Sequence, residues 1–352
     1  MASSLAQIVG RIEPPDQDTM QAALKRQDEL TKPRGSLGRL EELSARIAGI
    51  RHCVIPSLDN KAIVVMAADH GVVAQGVSAY PQEVTRQMVH TFLSGNAAIN
   101  VFARHINARI AVVDIGVAGG FEPHPMLECR KVDSGTRDMA QEPAMSRQQA
   151  VESLEVGIAV AEEQMDKGLD IIGTGDMGIG NTTAASAICA VITGRAAAEV
   201  TGHGAGIDDK QLSHKAQVID RALAVNQPDP ANAIDVLAKV GGLEIGGLAG
   251  VMLASAANHV PVVIDGFISG AAALIAVKLC PVCREYLIAA HLSAEPGHQI
   301  MLDYLGLTTL LSLNMRLGEG TGAALGISLA EASVSILKDM RTFGEAGVSD
   351  KD

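Results

Sequence analysis

Short apolar runs rich in Val and Ile alternate along the chain with longer amphipathic segments. The short runs have the length of strands that are buried on both faces, and the amphipathic segments have the periodicity of helices. This alternation is typical of repeated β-α-β units, so the chain is predicted to form an α/β fold with a mostly parallel sheet. The predicted strands are residues 62–67, 109–114, 170–173, 260–264 and 285–290.

The helical segments complete the predicted architecture. Those between strands span residues 81–94, 147–167, 182–191, 208–225, 245–257 and 269–278. The chain ends differ from the middle, because residues up to about 51 indicate helices around a Gly/Pro loop and residues 322–343 indicate one long helix. We therefore expect a small helical domain, made of residues 1–51 and 323–352, beside a large α/β domain of residues 52–322.

Composition and charge exclude several classes of protein. Of 352 residues, 47% are hydrophobic and 36 are Gly, which is too apolar a composition for a disordered chain. Subtracting 40 Asp and Glu from 28 Lys and Arg gives a net charge of −12, which argues against nucleic acid as a partner. Residues 245–277 are the most apolar stretch but are interrupted by polar residues and Pro, and the N-terminal segment lacks the pattern of a secretory signal. A soluble, cytoplasmic protein that does not enter membranes is expected.

The five cysteines are scattered and odd in number, which favours reduced thiols over a disulfide framework. Cys280 and Cys283 are the one closely spaced pair. A redox or zinc function would need a thioredoxin-like context or a second pair of ligands, and neither accompanies them. We interpret their spacing as a coincidence at the edge of a strand.

A glycine-rich loop follows the predicted strand 170–173. Residues 174–183 read Thr-Gly-Asp-Met-Gly-Ile-Gly-Asn-Thr-Thr and lead into an Ala-rich helix. Backbone N–H groups at a helix N-terminus lack intrahelical partners and lie at the positive end of the helix dipole, so this position favours an anion such as phosphate. The loop lacks the Lys of a Walker A motif and the spacing of a dinucleotide fingerprint. On the loop alone, an N-capped helix after a tight turn is an equal interpretation.

One carboxylate stands between glycines directly before the C-terminal helix. Glu319 lies in the sequence Leu-Gly-Glu-Gly-Thr-Gly at residues 317–322, so little side-chain bulk surrounds it and it can face a cavity. A Glu in an apolar pocket has a raised pKa and can act as a general base. Capping of the helix by this carboxylate is the alternative that the loop alone leaves open.

Three further segments carry polar residues next to predicted elements. Asp69 and His70 follow the strand 62–67 and are interpreted as a hydrogen-bonded turn, since no further metal ligand accompanies them at a suitable spacing. Residues 293–298, Ser-Ala-Glu-Pro-Gly-His, are expected to form a surface turn. Residues 32–40 are basic and suit either an anion-binding arm or, preferably, the capped start of a helix.

Several of these segments together resemble one family, the nicotinate-nucleotide:dimethylbenzimidazole phosphoribosyltransferases, which make the lower-ligand nucleotide of cobalamin. The resemblance covers nearly the whole chain. It is carried by TKPRGSLGRLE (31–41), AADHGV (67–72), SAYPQEVT (78–85), GTGDMGIGNTTAA (173–185), GHGAGIDD (202–209), EIGGLAG (244–250), IDGFISGAAAL (264–274), SAEPGH (293–298) and NMRLGEGTGAAL (314–325). No single motif decides the matter, but the whole set in this order is highly specific.

The resemblance implies a fold and a reaction. Members have a doubly wound, Rossmann-like sheet domain with a small domain of terminal helices, and they are homodimers. They transfer the 5-phosphoribosyl group from nicotinate mononucleotide to 5,6-dimethylbenzimidazole, which gives α-ribazole 5′-phosphate and nicotinate. No cofactor or metal ion is expected, because the pyridinium leaving group becomes neutral at the ring as it departs. By resemblance, Glu319 is the general base that takes the proton of the attacking benzimidazole.

The resemblance also implies the binding residues. It assigns the phosphate site to Gly178, Gly180, Asn181, Thr182 and Thr183, in agreement with the anion site predicted at a helix N-terminus. It assigns the base pocket to Tyr80, Met88, Met177, Met315 and Leu317, a set suited to a flat apolar heterocycle. Asp176 lies next to the phosphate site, where it would contact the ribose or act as a weaker, secondary base. Lys215 is expected near the phosphate or carboxylate of the nucleotide, with an exposed helical Lys as the alternative.

Other functions stay open on the sequence. A diphosphate-dependent phosphoribosyltransferase would need paired acidic residues after an apolar run, and residues 112–116 lack that pair. A nicotinamide-cofactor dehydrogenase is compatible with the fold, but its fingerprint is absent. The nearer alternatives are a sister enzyme that uses adenine, another benzimidazole or a phenol as acceptor, and a non-catalytic nucleotide sensor.

Overall fold

The sheet is parallel throughout, as the strand pattern predicts. The computed structural model describes residues 4–349. Within this range the strands are β1 (Lys61–Ala68), β2 (Ala108–Gly116), β3 (Leu127–Cys129), β4 (Ile171–Met177), β5 (Val262–Ile264) and β6 (Leu287–Ala289). They form one six-stranded sheet in the order β3-β2-β1-β4-β5-β6, and each neighbouring pair is parallel. The order reverses between β1 and β4, and in such sheets ligands bind beyond the carboxyl ends of the strands at that position.

Helices cover both faces of the sheet. They are α1 (Leu5–Val9), α2 (Gln17–Glu29), α3 (Arg39–Ile50), α4 (Glu83–Leu93), α5 (Ala98–His105), α6 (Arg147–Asp166), α7 (Asn181–Thr193), α8 (Ala197–Val200), α9 (Asp209–Asn226), α10 (Ala233–Val240), α11 (Leu243–Ala257), α12 (Phe267–Leu279), α13 (Pro296–Leu305), α14 (Thr321–Asp339) and α15 (Phe343–Ala346). Among these described helices, none combines the length and the hydropathy that a membrane crossing requires.

The alternation of side chains along β1 explains why the core has two layers. Ile63, Val65 and Ala67 belong to a buried apolar cluster that includes residues of α3, α4, α5 and α14. Val64 and Met66 belong to a larger cluster that includes residues of α6, α11 and α12. Successive residues of a strand face opposite sides of the sheet, so a strand that is covered on both sides is a nearly continuous apolar run. Every residue of β1 is buried, which is why an apolar run located this strand.

The strand β4 extends further than predicted. The sequence predicts its end at Gly173, yet the pairing with β1 continues through Gly175 and Asp176 to Met177. Gly and Asp have poor strand propensity, but hydrogen bonding to a central neighbouring strand outweighs this local preference. Asp176 and Met177 therefore lie at the end of a strand, and their predicted place in the loop is wrong.

Several short elements and two boundaries were not predicted. β3 has 3 residues, and α5, α8, α10 and α13 have at most 10 each, too few for a distinct apolar periodicity. The C-terminal helix ends at Asp339 rather than at 343. The chain beyond it pairs with the segment after α2, where the Thr31 N–H donates to the Arg341 carbonyl over 3.0 Å. The predicted strand 285–290 begins with a 3₁₀ turn that ends at Tyr286.

The terminal helices pack together, and one of them also covers the sheet. α2 and α3 contact each other and α14, and α14 contacts β4 and β5 as well. Residues 32–40 lead into α3, as predicted, but its N-cap residue is Gly38, which has no side chain to cap the helix. Lys32 forms a buried ion pair of 2.7 Å with Glu41. The division of the chain into a helical and an α/β domain stays a prediction, and its residues 1–3 and 350–352 lie outside the described range.

Cys280 and Cys283 are free, buried thiols at the turn between α12 and β6. Burial raises the pKa of the Cys283 thiol, so the nucleophilic thiolate is disfavoured. Within residues 4–349, no group of three or more His, Cys, Asp or Glu side chains is arranged to hold a metal ion.

Candidate active site

A cavity of about 400 Å³ lies beyond the carboxyl end of β4. Its wall is built from the end of β4, the first turns of α7 and α12, the loop before α9 and the loop before α14. All the predicted site residues except Met315 and Thr183 line it: Tyr80, Met88, Asp176, Met177, Gly178, Gly180, Asn181, Thr182, Lys215, Leu317 and Glu319. The cavity therefore lies where the reversal of strand order predicts a ligand.

The glycine-rich loop forms one wall of the cavity at the N-terminus of α7. Gly180 is the N-cap residue with φ +91°, a conformation that side chains other than Gly rarely adopt. Gly178 packs on the end of β1, where a Cβ would lie 2.5 Å from the Ala68 carbonyl oxygen. The first turn of α7 therefore lies against the cavity, and the positive end of the helix dipole suits an anion there.

Lys215 adds a buried cation beside this helix N-terminus. It is 1% exposed, and its Nζ donates to the Thr182 hydroxyl over 2.8 Å. Burial lowers the pKa of Lys215 to about 8, an effect that the charge of Glu295 opposes, so the side chain is still mostly protonated at pH 7. The alternative of an exposed helical lysine is wrong.

Met315 and Thr183 lie close to the cavity without lining it. Thr183 is a fully buried residue of the first turn of α7, and its N–H donates to the Gly180 carbonyl over 3.0 Å. Met315 precedes the lining residue Arg316, and its carbonyl accepts from the Ala294 N–H over 3.0 Å.

The remaining wall is largely apolar. Tyr80 and Leu317 are 50% and 57% exposed, which leaves much of each side chain open to solvent, while Met88 and Met177 are half-buried. Further apolar side chains complete the wall: Val77, Val84, Ile179, Ile207, Phe267 and Ile268. A wall of aromatic, thioether and aliphatic groups suits a flat heterocycle.

Glu319 lies at the centre of a run of left-handed backbone. Gly318, Glu319 and Gly320 have φ of +81°, +62° and +92°. For Glu this conformation is strained, and strained residues of this kind cluster at functional sites. The turn is closed by Thr321, whose N–H and hydroxyl both donate to the Gly318 carbonyl.

The Glu319 carboxylate is buried and does not cap its own helix. The side chain lines the cavity, the residue is 5% exposed, and Oε2 accepts from the Ile99 N–H in the first turn of α5 over 3.4 Å. Burial raises the pKa of Glu319, and this hydrogen bond opposes the rise. The free amides of α14 bond to Asp265 instead, so the interpretation of Glu319 as the cap of the C-terminal helix is wrong.

Asp176 lies between the glycine-rich loop and the loop of Glu319. One of its oxygens accepts from the Asn181 amide over 2.9 Å, and its carboxyl packs against Gly318. Burial, followed by the charges of Asp265 and Glu244, raises the pKa of Asp176 well above the usual range. The charged form of this carboxyl is therefore less favourable than it is for an Asp exposed to water.

Comparisons with known proteins place these residues in a family. A family model described as phosphoribosyltransferase matches residues 12–348. The nicotinate-nucleotide–dimethylbenzimidazole phosphoribosyltransferase of Roseiflexus sp. (strain RS-1) is 60% identical over 349 residues, which covers 99% of each chain. That of Desulforudis audaxviator (strain MP104C) is 57% identical over 345 residues, which covers 98% of each. The chain belongs to the nicotinate-nucleotide–dimethylbenzimidazole phosphoribosyltransferase family.

A solved member of this family has the same fold. The crystal structure of the nicotinate-nucleotide–dimethylbenzimidazole phosphoribosyltransferase from Thermus thermophilus superposes with a TM-score of 0.91 at 46% identity, over 96% of this chain and 100% of that one. The α/β fold with a doubly wound, Rossmann-like parallel sheet is thus confirmed.

Sequence reasoning missed several polar residues that line the cavity of this family member. Residues 293–298 are not a surface turn, because Ser293 and Glu295 are buried in the wall and Glu295 accepts from the Gly204 N–H over 2.9 Å. Arg316 donates to the carbonyl of the same Gly204 over 2.8 Å. The available signal was Pro296, which stands at the start of α13 and indicates a helix rather than a turn.

Asp69 and His70 form hydrogen bonds, as predicted, and both residues are buried. His70 Nε2 lies 2.8 Å from a Glu244 oxygen, and the Glu244 charge raises the pKa of His70 against the opposing effect of burial. Asp69 accepts from the Ala118 N–H over 2.7 Å. His70 also packs under Gly178, so this pair supports the glycine-rich loop from below.

Gly175→Ala is expected to reduce transfer activity more than tenfold and to lower the free energy of unfolding by about 1–3 kcal/mol. A Cβ at Gly175 would lie 2.4 Å from the Glu319 carbonyl oxygen, so one of the two backbone segments must move. Thermal unfolding and an activity assay measure the two effects. Gly120→Ala is the matched control, because a Cβ there meets no atom within 4 Å. Full activity of Gly175→Ala would mean that the position of the Glu319 loop is not critical.

Proposed function

We propose that this chain transfers the 5-phosphoribosyl group of nicotinate mononucleotide to 5,6-dimethylbenzimidazole, giving α-ribazole 5′-phosphate and nicotinate for the nucleotide loop of cobalamin. The relatives that share its length carry the name of this reaction. The single observation that carries the proposal is a buried carboxylate, Glu319, in a cavity that has a helix N-terminus with a lysine on one side and an apolar wall on another.

The phosphate of the nucleotide is assigned to the first turn of α7. Gly178, Gly180, Asn181 and Thr182 line the cavity there, and Lys215 contributes a positive charge next to Thr182. Backbone N–H groups and a charge-assisted hydrogen bond together suit a phosphate monoester. Thr183 fits this role through the helix turn that it completes rather than through direct contact.

The acceptor is assigned to the apolar wall. Tyr80, Met88, Met177 and Leu317 offer flat and polarisable surfaces to a benzimidazole ring. Met315 fits as a support for this wall, since it directly precedes Arg316 and Leu317, which line the cavity. Polar groups are few on this side, so the heterocycle's N–H would meet Glu319 as its main acceptor.

Glu319 is assigned the role of general base. One nitrogen of the benzimidazole uses its lone pair to bond to C1′ while the bond from C1′ to nicotinate breaks. The electron pair of that bond goes to the pyridine nitrogen, which loses its positive charge. The proton on the other benzimidazole nitrogen passes to Glu319. Attack from the face opposite nicotinate inverts C1′ and gives the α-riboside.

Asp176 is assigned to the ribose rather than to proton abstraction. Burial and the neighbouring carboxylates raise the pKa of Asp176, and in either protonation state this side chain can form a hydrogen bond with a ribose hydroxyl. Its position between the Asn181 amide and Gly318 lies between the proposed phosphate and base subsites. The shorter side chain of Asp disfavours a role as secondary base.

We also propose that the chain acts as a homodimer in the cytoplasm. The family resemblance supports this assembly, and so do Tyr80 and Leu317, two large apolar side chains of the cavity wall that are at least half exposed. Light scattering of the purified protein is expected to give twice the monomer mass, and a monomer at micromolar concentration would overturn the assignment.

The choice of acceptor is tested by comparing kcat/KM for dimethylbenzimidazole, adenine and phenol at fixed nicotinate mononucleotide. Nicotinate release and riboside formation are followed together. The proposal predicts the highest value for dimethylbenzimidazole, because the apolar wall favours its two methyl groups. A higher value for adenine or phenol would reassign the acceptor, and nucleotide binding without turnover of any acceptor would indicate a sensor.

The value of kcat/KM is expected to rise with pH along an acidic limb whose midpoint lies above 4.5, the ordinary pKa of a Glu side chain. Burial raises the pKa of Glu319 and only its ionised form accepts a proton, so activity falls as pH falls through that raised pKa. The substrate phosphate titrates near pH 6 and contributes to the profile. The residual activity of Glu319→Gln is the control, because it keeps the phosphate contribution and should lose the Glu319 limb. An identical profile in both proteins would contradict the assignment.

A further inference from the structure

We propose that Asp265 is the positioning residue for Glu319: its buried carboxylate holds the left-handed turn that presents Glu319 to the cavity. This inference rests on the proposed role of Glu319 as general base. Asp265 itself contacts neither reactant in this scheme, and it is absent from the residues that line the cavity. The hydrogen bonds that its carboxylate accepts come from the backbone that follows Glu319.

Both oxygens of Asp265 are occupied by that backbone. Oδ2 accepts from the Gly320 N–H over 3.0 Å, and Oδ1 accepts from the N–H groups of Gly322 and Ala323 over 2.7 and 3.1 Å. Gly320 directly follows Glu319, and the other two residues lie in the first turn of α14. One carboxylate therefore joins the end of the turn to the start of the helix.

The backbone of Glu319 needs such a constraint. Three successive residues, Gly318, Glu319 and Gly320, have positive φ, and a non-glycine residue in this conformation is strained. Strain of this kind persists only where the surroundings determine the conformation. The backbone N–H groups that donate to Asp265, and the close packing of Gly175 on the Glu319 carbonyl, fix the conformation of Glu319.

Asp265 is itself held in place from behind. It directly follows β5, and its N–H lies 3.4 Å from the Thr174 hydroxyl of β4, which in turn donates to the Ser269 hydroxyl over 2.9 Å. His291 closes the other side, with its Nε2 3.7 Å from Oδ1. The residue is 1% exposed, so the carboxylate is fixed to the sheet and transmits that position to the loop.

Asp265→Asn tests this inference because it keeps the shape of the side chain but replaces one acceptor oxygen by an NH2 group, which must face a backbone N–H. We expect kcat to fall about 10- to 100-fold, while the Kd for nicotinate mononucleotide stays near the wild-type value. Asp114→Asn is the matched control: Asp114 is a buried Asp near the end of β2 that also accepts a backbone N–H, from Val117 over 2.8 Å, and does not line the cavity. It should retain kcat.

A double-mutant cycle with Glu319→Gln separates positioning from general structural damage. If Asp265 acts through Glu319, Asp265→Asn should cause no further loss of kcat once Glu319 is replaced. Equal losses in both backgrounds, or wild-type kcat in Asp265→Asn, would overturn the inference. Wild-type activity of Glu319→Gln alone would overturn both the proposed general base and this inference. That variant therefore shows whether the proposed role of Glu319, rather than the positioning role of Asp265, has failed.

A second variant approaches the same contact from the donor side, in case Asp265→Asn does not fold. Ala323→Pro removes one of the three hydrogen bonds donated to Asp265, at the third residue of α14, where the N–H has no partner within the helix. Ala323 is fully buried, so circular dichroism first establishes that this variant folds. The folded variant is expected to lose about tenfold in kcat with an unchanged Kd for the nucleotide. Wild-type kcat in folded Ala323→Pro would count against a positioning role for this carboxylate.

Discussion

Glu319→Gln is expected to lower kcat for phosphoribosyl transfer by about 10²- to 10⁴-fold, the range that general acid–base catalysis usually contributes. The substitution preserves the shape of the side chain and its hydrogen bond from Ile99, but the neutral amide cannot accept the benzimidazole proton. The nucleotide should still bind, because its proposed phosphate site lies at the N-terminus of α7 and does not include Glu319. Single-turnover kinetics and equilibrium binding of nicotinate mononucleotide measure the two quantities.

Glu42→Gln is a suitable control for this variant. Glu42 is exposed in the first turn of α3 and does not line the cavity, so the same chemical change there should leave kcat unaltered. Stability also separates the alternatives. Because burial disfavours the charged form of Glu319, its replacement by neutral Gln should not lower the free energy of unfolding. Wild-type turnover of Glu319→Gln would remove the residue from the role of base.

Lys215→Met is expected to raise the Kd for nicotinate mononucleotide by about 10- to 100-fold. A charge-assisted hydrogen bond contributes about 1.5–3 kcal/mol, and each 1.4 kcal/mol is a factor of ten in Kd. Burial already lowers the pKa of Lys215 to about 8, so its removal takes away a cation that is costly to desolvate. We therefore expect no loss of thermal stability. Calorimetric titration and thermal unfolding provide both measurements.

The matched control for this prediction is Lys210→Met, a change on the same helix, α9, at an exposed position. It should leave the Kd for the nucleotide unchanged. The contrast between Lys215 and Lys210 also tests how the phosphate is recognised. If Lys215→Met and Lys210→Met bind the nucleotide equally well, the α7 N-terminus holds the phosphate without help from a lysine, and Lys215 has a structural role with Thr182.

The sequence predicted most accurately the elements whose position depends on a single local requirement. A strand that is covered on both faces must be apolar, and this requirement located β1 and β2 almost to the residue. The glycine-rich turn at the start of α7, where we propose the phosphate, was predictable for the same reason, since glycines, polar residues and a following helix are all local features. β4 was predicted too short because its last residues are held by pairing with β1 rather than by their own propensity.

The rest of the site depends on contacts between distant parts of the chain. Asp265 and Glu319 are far apart in sequence, and nothing in either segment indicates that one carboxylate holds the turn that carries the other. The burial of Glu295 and Lys215 has the same origin, because both are buried only once α9, α13 and the loop at Gly204 have packed around the cavity. Local patterns cannot predict such burial, which is why residues 293–298 were expected at the surface.

We expect this chain alone to join ribose phosphate to dimethylbenzimidazole with inversion at C1′. The most direct test mixes the purified chain with nicotinate mononucleotide and 5,6-dimethylbenzimidazole in the presence of a metal chelator. Chromatography follows nicotinate and the riboside phosphate, and NMR assigns the anomer. We predict equal amounts of nicotinate and α-ribazole 5′-phosphate. Two results would contradict the proposed inverting transfer. One is release of nicotinate with ribose phosphate in place of the riboside, and the other is a product with the β configuration.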